Sequence, residues 1–372
     1  MVENELKRII DLRHKLHQYP ELSNQESITK KILMEFLKDN TNLEIIDKGK
    51  WFYAKYFTDK KNKNIAFRAD FDAIMMEEFL DLSYGSKNNG VAHKCGHDGH
   101  VAILSALALE LERLRPDRNV YLIFQHAEET GNGAFECLEF IDECEIDEIF
   151  AFHNTSGIPF GSVMIKNGVM NYASKGMIIE LVGTPTHASR PENGANPSYA
   201  FAKIIEELEN ISKDDKFKGL ILATIIKVDI GQEAFGIAAH SGRLMVTIRA
   251  EIEDELNYLQ EYLEDFVNRV AKEEKLKCTF SYKDQFPATV NHLESVNKVI
   301  NVSKKLDIDV IEMEEGMRGS EDFGHFLNET RGAIFYVGNG KNYPPLHTKE
   351  YDFNDKLIPI VLEIFKSLIM IN

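Results

Sequence analysis

The sequence is short of positive charge. Its 372 residues carry 43 Lys and Arg against 60 Asp and Glu, a formal net charge of −17. A surface that acidic repels phosphate backbones, and no basic stripe or stacking motif compensates, so nucleic-acid binding is excluded. Cysteine is scarce as well: Cys95, Cys137, Cys144 and Cys278 have no zinc-finger spacing. In a chain of this size, four scattered thiols read as reduced, which points to the cytoplasm. Met1 to Ile10 alternates charged and apolar residues without an apolar h-region, so no secretory signal is expected there. No apolar run is long enough to span a bilayer, which predicts no membrane partner. Repeats and low-complexity segments are missing too. What is left is an ordinary globular composition, 44% hydrophobic and 28% charged, in a chain long enough for two domains or one interrupted by another.

The pattern along the chain predicts an amphipathic helix over Glu3–Gln18 and a second from about Ser23, where Ser23 and Glu26 have capping-box spacing. Short β-type runs follow at 43–46, 52–57 and 64–67, then a largely buried helix over 99–114. After it come a strand at 120–124, a helix near 134–141 and a strand at 146–152. Strands alternating with helices predict a mostly parallel sheet with helices on both faces. Three of these strands run into acids and histidines: Arg68-Ala69-Asp70-Phe71-Asp72, Gln125-His126-Ala127-Glu128-Glu129, and His153-Asn154. In open α/β sheets side chains converge at the carboxyl ends of strands, so these three predict one site. Between about Tyr172 and Tyr282 the order becomes β-α-β-β-α-β, the ferredoxin-like arrangement. Helix–strand alternation returns from Pro287 and ends in an amphipathic helix over 354–371. A discontinuous catalytic domain, 1–170 and 286–372, with an inserted domain at 171–285 accounts for this order.

The stretch Ala92–His100, AHKCGHDGH, packs one thiol, three histidines and an aspartate into nine positions. That density favours metal ligation over solvated loop histidines. Cys95 and His97 lie two apart, so in an extended loop both face one ion. For Glu128-Glu129 the plain reading is an exposed acidic pair. In an extended segment, however, adjacent side chains diverge, so one carboxylate can hold metal while its neighbour takes a proton from water. His153 follows a buried-type strand, and His347 lies in the rigid run Pro344-Pro345-Leu346-His347-Thr348. On spacing alone, a hydrogen-bonded structural histidine fits either place equally well.

These motifs together resemble, almost end to end, the metallo-amidohydrolases related to carboxypeptidase G and aminoacylase. The branch they resemble contains hippurate hydrolase, N-acyl-L-amino-acid amidohydrolase and the plant indole-acetyl-amino-acid hydrolases. The carrying segments are RHKLHQYPELSNQE (13–26), RADFDA (68–73), HKCGHDGH (93–100) and QHAEE (125–129). They continue with GTPTHASRPENGANP (183–197), GSEDFG (319–324) and PLHTKEYDF (345–353). The resemblance implies an α/β fold, a phosphorylase/hydrolase-like catalytic domain with a mixed sheet, plus an inserted ferredoxin-like α+β lid/dimerisation domain. It further implies two divalent metal ions held by Cys95, His97, Glu129, His153 and His347, with Cys95 bridging. Zinc or manganese suit these donors, and cobalt or nickel are admitted. Glu128 is implied as general base, His187 as an oxyanion donor supplied by the partner subunit of a homodimer, and Asp70 as an orienting carboxylate. Relatives elsewhere in the family place a histidine where this chain has Arg68, and a proline is more usual at His126. Arg249 and Asn196 are candidates for binding a substrate carboxylate; a surface salt bridge is the plain alternative for Arg249.

The expected activity is metal-dependent deacylation of N-acyl amino acids. A dipeptidase or exopeptidase on the same scaffold is the alternative. A thiol hydrolase using Cys95 and His97 leaves Glu129, His153 and His347 without a role, and an inactive binding protein leaves Glu128 without one.

Overall fold

The computed structural model describes residues 2–58, 63–211 and 216–371. The chain divides into two compact units, one of Met1–Met170, Thr289–Gly316 and Glu321–Asn372, the other of Asn171–Ala288 and Met317–Ser320.

The first unit is built on an eight-stranded mixed sheet. Strand Asn64–Asp70 lies parallel to both Val120–Gln125 and Ile146–Thr155, and the latter is parallel to Arg331–Gly338. Antiparallel pairing enters through Phe52–Tyr56, which joins Val120–Gln125 to the edge strand Glu44–Asp47, and through Val163–Ile165 on the other side. Every residue of Val120–Gln125 is buried, and successive side chains of a strand point to opposite faces, so both faces of the sheet are covered there. Helix His97–Leu114 explains part of that cover. It is apolar around most of its circumference, from Val101 to Leu111, and packs with strand Asn64–Asp70 and with helices Glu3–Gln18 and Leu357–Ile369. Leu104, Leu107, Phe67, Phe124, Phe150, Val361 and Phe365 belong to one continuous core.

Helix Ser27–Asn40 corrects an expectation. It starts four residues after Ser23, and its first amides are not capped by a Ser23–Glu26 box. Glu21 Oε2 accepts from Ile28 N at 2.8 Å and Thr29 N at 2.7 Å, while Ser23 Oγ donates to Asp72 Oδ2 at 2.7 Å. A serine with a buried carboxylate in reach is drawn away from local capping.

The second unit folds as Ala173–Val182, helix Pro197–Ile211, Ile221–Ile230, Ser241–Ala250, helix Glu253–Glu273 and Lys277–Phe286. Its antiparallel sheet has the order fourth, first, third, second strand, which is the ferredoxin-like topology. Both helices bury one stripe, Phe201, Ile204 and Leu208 on the first and Leu256, Leu259, Leu263 and Val267 on the second, in a core separate from that of the first unit. The unit's first and last strands are neighbours, Ser174 lying opposite Phe286. No helix among the described residues is long and apolar enough to cross a membrane.

Candidate metal centre

The three strands that end in polar residues are parallel neighbours, and their ends do converge. Asp70 pairs in register with Gln125, and His153 with Tyr336 of the next strand. His153 lies inside strand Ile146–Thr155, which runs three residues further than its apolar pattern indicates.

Cys95 and His97 are brought together by a turn, not by an extended loop. Gly96 between them has φ 102° and His97 opens the long helix. A Cβ on Gly96 would lie 2.4 Å from Asn154 Oδ1 and 2.5 Å from the Tyr351 hydroxyl, so only glycine fits both the backbone and the space. Glu128 and Glu129 likewise sit on a 3₁₀ turn that follows Ala127 at φ 50°. Ala127 N donates to Glu26 Oε1 at 2.8 Å and Glu129 N to Asp72 Oδ2 at 3.0 Å, which fixes the turn from both sides.

Several groups of close donors result, among them His97, Glu128 and Glu129, and two of the groups share one sulfur. Cys95, His97 and His153 offer ligand atoms within 4.8 Å of one another, and so do Cys95, Glu129 and His347. His153 Nε2 is 3.5 Å from Cys95 Sγ, and His347 Nε2 is 3.5 Å from Glu129 Oε1. Each buried imidazole is aimed by its other nitrogen. His97 Nδ1 is 3.1 Å from both the carbonyl and Oδ1 of Asp72, and His153 Nδ1 donates to the Asn154 carbonyl at 2.7 Å. Among the described residues, His97 Nε2 and Glu129 Oε1 are buried and find no hydrogen-bond partner. Buried polar atoms with no partner are costly, so donors crowded together and left unbonded fit cations placed among them. Thiolate, imidazole and carboxylate in this combination suit zinc or a similar divalent ion. His347 is the least enclosed of the five, with a half-exposed side chain and φ 58°.

Glu128 is buried, with its Oε2 4.0 Å from His97 Nε2, and forms a further cluster with Glu321 and Asp322. Burial, with Glu321, Glu129 and Asp322 close by, raises its pKa well above the usual carboxylate range. Burial alone would lower His97, but Asp70, the Cys95 sulfur and Asp72 together raise it well above an ordinary histidine. Burial, reinforced by His100, holds His153 well below.

Asp70 bonds to His100, one helical turn beyond His97. Its Oδ1 is 2.6 Å from His100 Nδ1, while His100 Nε2 is 2.7 Å from Asn154 Oδ1, so both His100 nitrogens are engaged. Behind Asp70, Arg68 is fully buried and donates to Gln125 Oε1 at 2.7 Å, Asp70 Oδ2 at 2.6 Å and Asp322 Oδ1 at 2.6 Å. Asp72, Asn154, Glu321 and Asp322 therefore belong to the site's structure, although the sequence assigned none of them an individual role. The last two stand in the GSEDFG run, whose acids were the available signal.

The remaining candidates lie in the second unit. His187 is exposed, its Nδ1 2.7 Å from Ser189 Oγ. Asn196 Oδ1 accepts from Ser198 N at 2.9 Å and so caps helix Pro197–Ile211. Arg249 donates to the Arg318 carbonyl at 3.0 Å and Ser320 Oγ at 2.5 Å. No carboxylate among the described residues pairs with it, and burial lowers its pKa. In the first unit, His126 Nε2 is 3.0 Å from Glu136 Oε2, which ties this residue to a surface acid.

A second polar network backs the metal-side helix. Asp98 Oδ2, next to His97, is 2.8 Å from His17 Nδ1 and 3.3 Å from Arg13, and His17 Nε2 is 2.9 Å from Glu78 Oε2. Burial opposes charge on His17, but hydrogen bonds to Asp98 and Glu78 outweigh it and raise its pKa to about 9. An unfolded histidine titrates near ~6.5, so this network stabilises fully below that pH and its contribution fades as pH rises through about 9. In pH-dependent urea unfolding, the stability difference between the native chain and His17→Gln is expected to be largest near pH 6 and to shrink steadily towards pH 9.5. A constant difference across that range would contradict the charged-histidine assignment.

Residues 66–371 match the peptidase family M20/M25/M40. The chain is 30% identical to an N-acetyldiaminopimelate deacetylase of Priestia megaterium over 356 residues, 94% of this chain and 93% of that relative. It is 29% identical to the hippurate hydrolase of Campylobacter jejuni over 367 residues, 96% and 94% of the two chains. The fold superposes on a Bacillus subtilis protein described as a dinuclear metal-binding peptidase, with a TM-score of 0.84 at 24% identity over 99% of this chain and 98% of that one.

Proposed function

We propose, from the premise that the chain belongs to peptidase family M20/M25/M40, that it removes the acyl group from N-acyl amino acids with the help of two divalent ions. The chain is a hydrolase of amides. The observation that carries the finer reading is the pair of donor groups sharing Cys95, with the buried carboxyl of Glu128 beside them. Cys95, His97 and His153 would hold one ion, and Cys95, Glu129 and His347 the other. When bound, such ions supply Lewis-acid polarisation of a carbonyl and of water.

The chain's own residues would do the rest. Glu128 takes a proton from the attacking water and returns it to the departing amine, a role suited to a carboxyl whose pKa is raised. His187, exposed at the surface of its own unit with its Nδ1 bonded to Ser189, donates to the developing oxyanion, with the partner subunit of a homodimer as its source. Strand Ile221–Ile230 supports such a dimer. It is an edge of its sheet, residues 224–229 are exposed, and Ile226 and Val228 face solvent, which suits pairing with the same strand of a second copy. Asp70 holds His100 and so steadies the strand ends behind the ligands.

Arg249 would bind the substrate's free carboxylate, since it is a half-buried cation with only neutral partners in a chain this acidic. Arg249→Met is then expected to raise KM for an N-acyl amino acid by roughly 10- to 100-fold, the worth of a charged hydrogen bond. The carboxamide form of the same substrate should be unaffected; equal losses on both would remove Arg249 from carboxylate recognition.

The test of the reading as a whole is chelation followed by reconstitution with zinc, manganese, cobalt or nickel. The assay uses a panel of N-acetyl amino acids, N-benzoyl amino acids and dipeptides. Activity should vanish with the chelator and return with metal, strongest on the acylated amino acids. Turnover that survives full metal removal would overturn the mechanism, and preference for dipeptides would make the chain a peptidase.

A further inference from the structure

Lys94 precedes Cys95 and its side chain is completely buried, an unusual place for a lysine. Its Nζ donates to Glu78 Oε1 at 2.6 Å and to the Tyr351 carbonyl at 2.8 Å. Its own carbonyl accepts from His347 N at 2.8 Å. One residue thus grips the 344–351 segment at two points, one of them the backbone of His347 itself. A third tie comes from Ser156 Oγ to the Pro344 carbonyl at 2.7 Å. Glu78, which receives the lysine, is held in turn by His17 and so by the first helix.

That grip matters most for His347. His97 sits on a helix with Asp72 behind its ring, and His153 on a central strand with the Asn154 carbonyl behind its own. His347 has neither support, is half exposed, and holds a backbone conformation that disfavours a residue with a Cβ. Its backbone is bonded to the residue adjacent to Cys95, whose side chain holds Tyr351 at the end of the same segment.

We propose that Lys94 is a positioning residue that seats the His347 segment against Cys95, and thereby completes the Cys95–Glu129–His347 group without affecting the Cys95–His97–His153 group. The proposal rests on the two-ion reading above. Partners behind a ligand typically change metal affinity by roughly 10- to 100-fold, and here the change falls on one ion of the two.

The experiment is titration of cobalt(II) into the metal-free full chain, followed by calorimetry and by the thiolate-to-cobalt absorption band. The native chain should take up two equivalents. Lys94→Met, which keeps length and apolar bulk, should bind the first as the native chain does and the second roughly 10- to 100-fold more weakly. Glu78→Gln, which retains the lysine and its bond to Tyr351, should weaken the second equivalent in the same direction by less, and serves alone if Lys94→Met does not fold. Native affinity for both ions in the variants, or an equal loss of both, would overturn the assignment, since a generally loosened fold weakens both. A native chain that binds fewer than two equivalents would instead bring down the two-ion reading on which the proposal stands.

Discussion

Glu128→Gln is expected to keep both metal equivalents and to lose about 10³-fold in kcat. Glutamine has the same shape and can still accept a hydrogen bond, but it cannot take a proton from water at neutral pH. General-base catalysis contributes on the order of 10²–10⁴ in rate, and the upper part of that range fits a base enclosed as Glu128 is. Glu128 belongs to neither donor group that contains Cys95, so the stoichiometry of metal uptake should not change. The measurement is metal content beside single-turnover rates on one N-acyl amino acid. A variant with full metal and undiminished turnover would show that some other group accepts the proton. Loss of one metal equivalent would place Glu128 among the ligands.

Arg68→Met should be the most destabilising single change in the first unit, costing about 3–5 kcal/mol as expected for removing one partner of a buried ionic cluster. Arg68 faces Asp70, Asp322 and Glu321, all buried, and satisfies three acceptors through separate nitrogens. Methionine fills the volume and leaves three carboxyls without the guanidinium that faces them. Burial raises Glu321 and Asp322, the latter to about 8, whereas, against the same burial, Arg68, His97 and His100 hold Asp70 well below its usual range, so the loss on acidification follows Asp70. A depressed carboxylate adds stability that is present above its unfolded pKa of ~3.9 and is lost as pH falls towards the folded value. The gap between the native chain and Arg68→Met in denaturant midpoint should therefore be widest near neutral pH and should narrow below pH ~4. A gap that stayed constant on acidification would mean that the carboxyls around Arg68 are already protonated in the native chain.

The readable parts of this protein were those written in short-range patterns. Apolar strands that break into acids and histidines placed His153, Glu128 and Glu129 at parallel strand ends, and the density of AHKCGHDGH located the thiol. The inserted unit was legible because each of its helices carries an amphipathic stripe and the order of its elements follows from the pattern. What escaped was whatever depends on partners distant in sequence. Arg68 meets Asp322 across 254 positions, and nothing local to either residue signals the pairing. Ser23 looked like a cap because the carboxylate that engages it is Asp72, 49 positions away. The local geometry of the candidate ligands depends on turns for a related reason. Cys95 with His97, and Glu128 with Glu129, suggested extended segments, whereas left-handed Gly96 and Ala127 turn the chain at both places. At Ala127 no glycine advertised the turn, and its N–H donates to Glu26, 101 positions away.

The adjacency of Ser174 and Phe286 bears on how such a chain could arise. A segment of more than a hundred residues leaves its host and comes back at nearly the same spot, so to the host it costs hardly more in loop-closure entropy than a tight turn would. The ferredoxin-like unit can therefore lengthen, shrink or diverge while the residues that precede and follow it keep their alignment. Evolution is free to rework the part that carries Arg249 and His187 on a separate schedule from the part that carries Cys95.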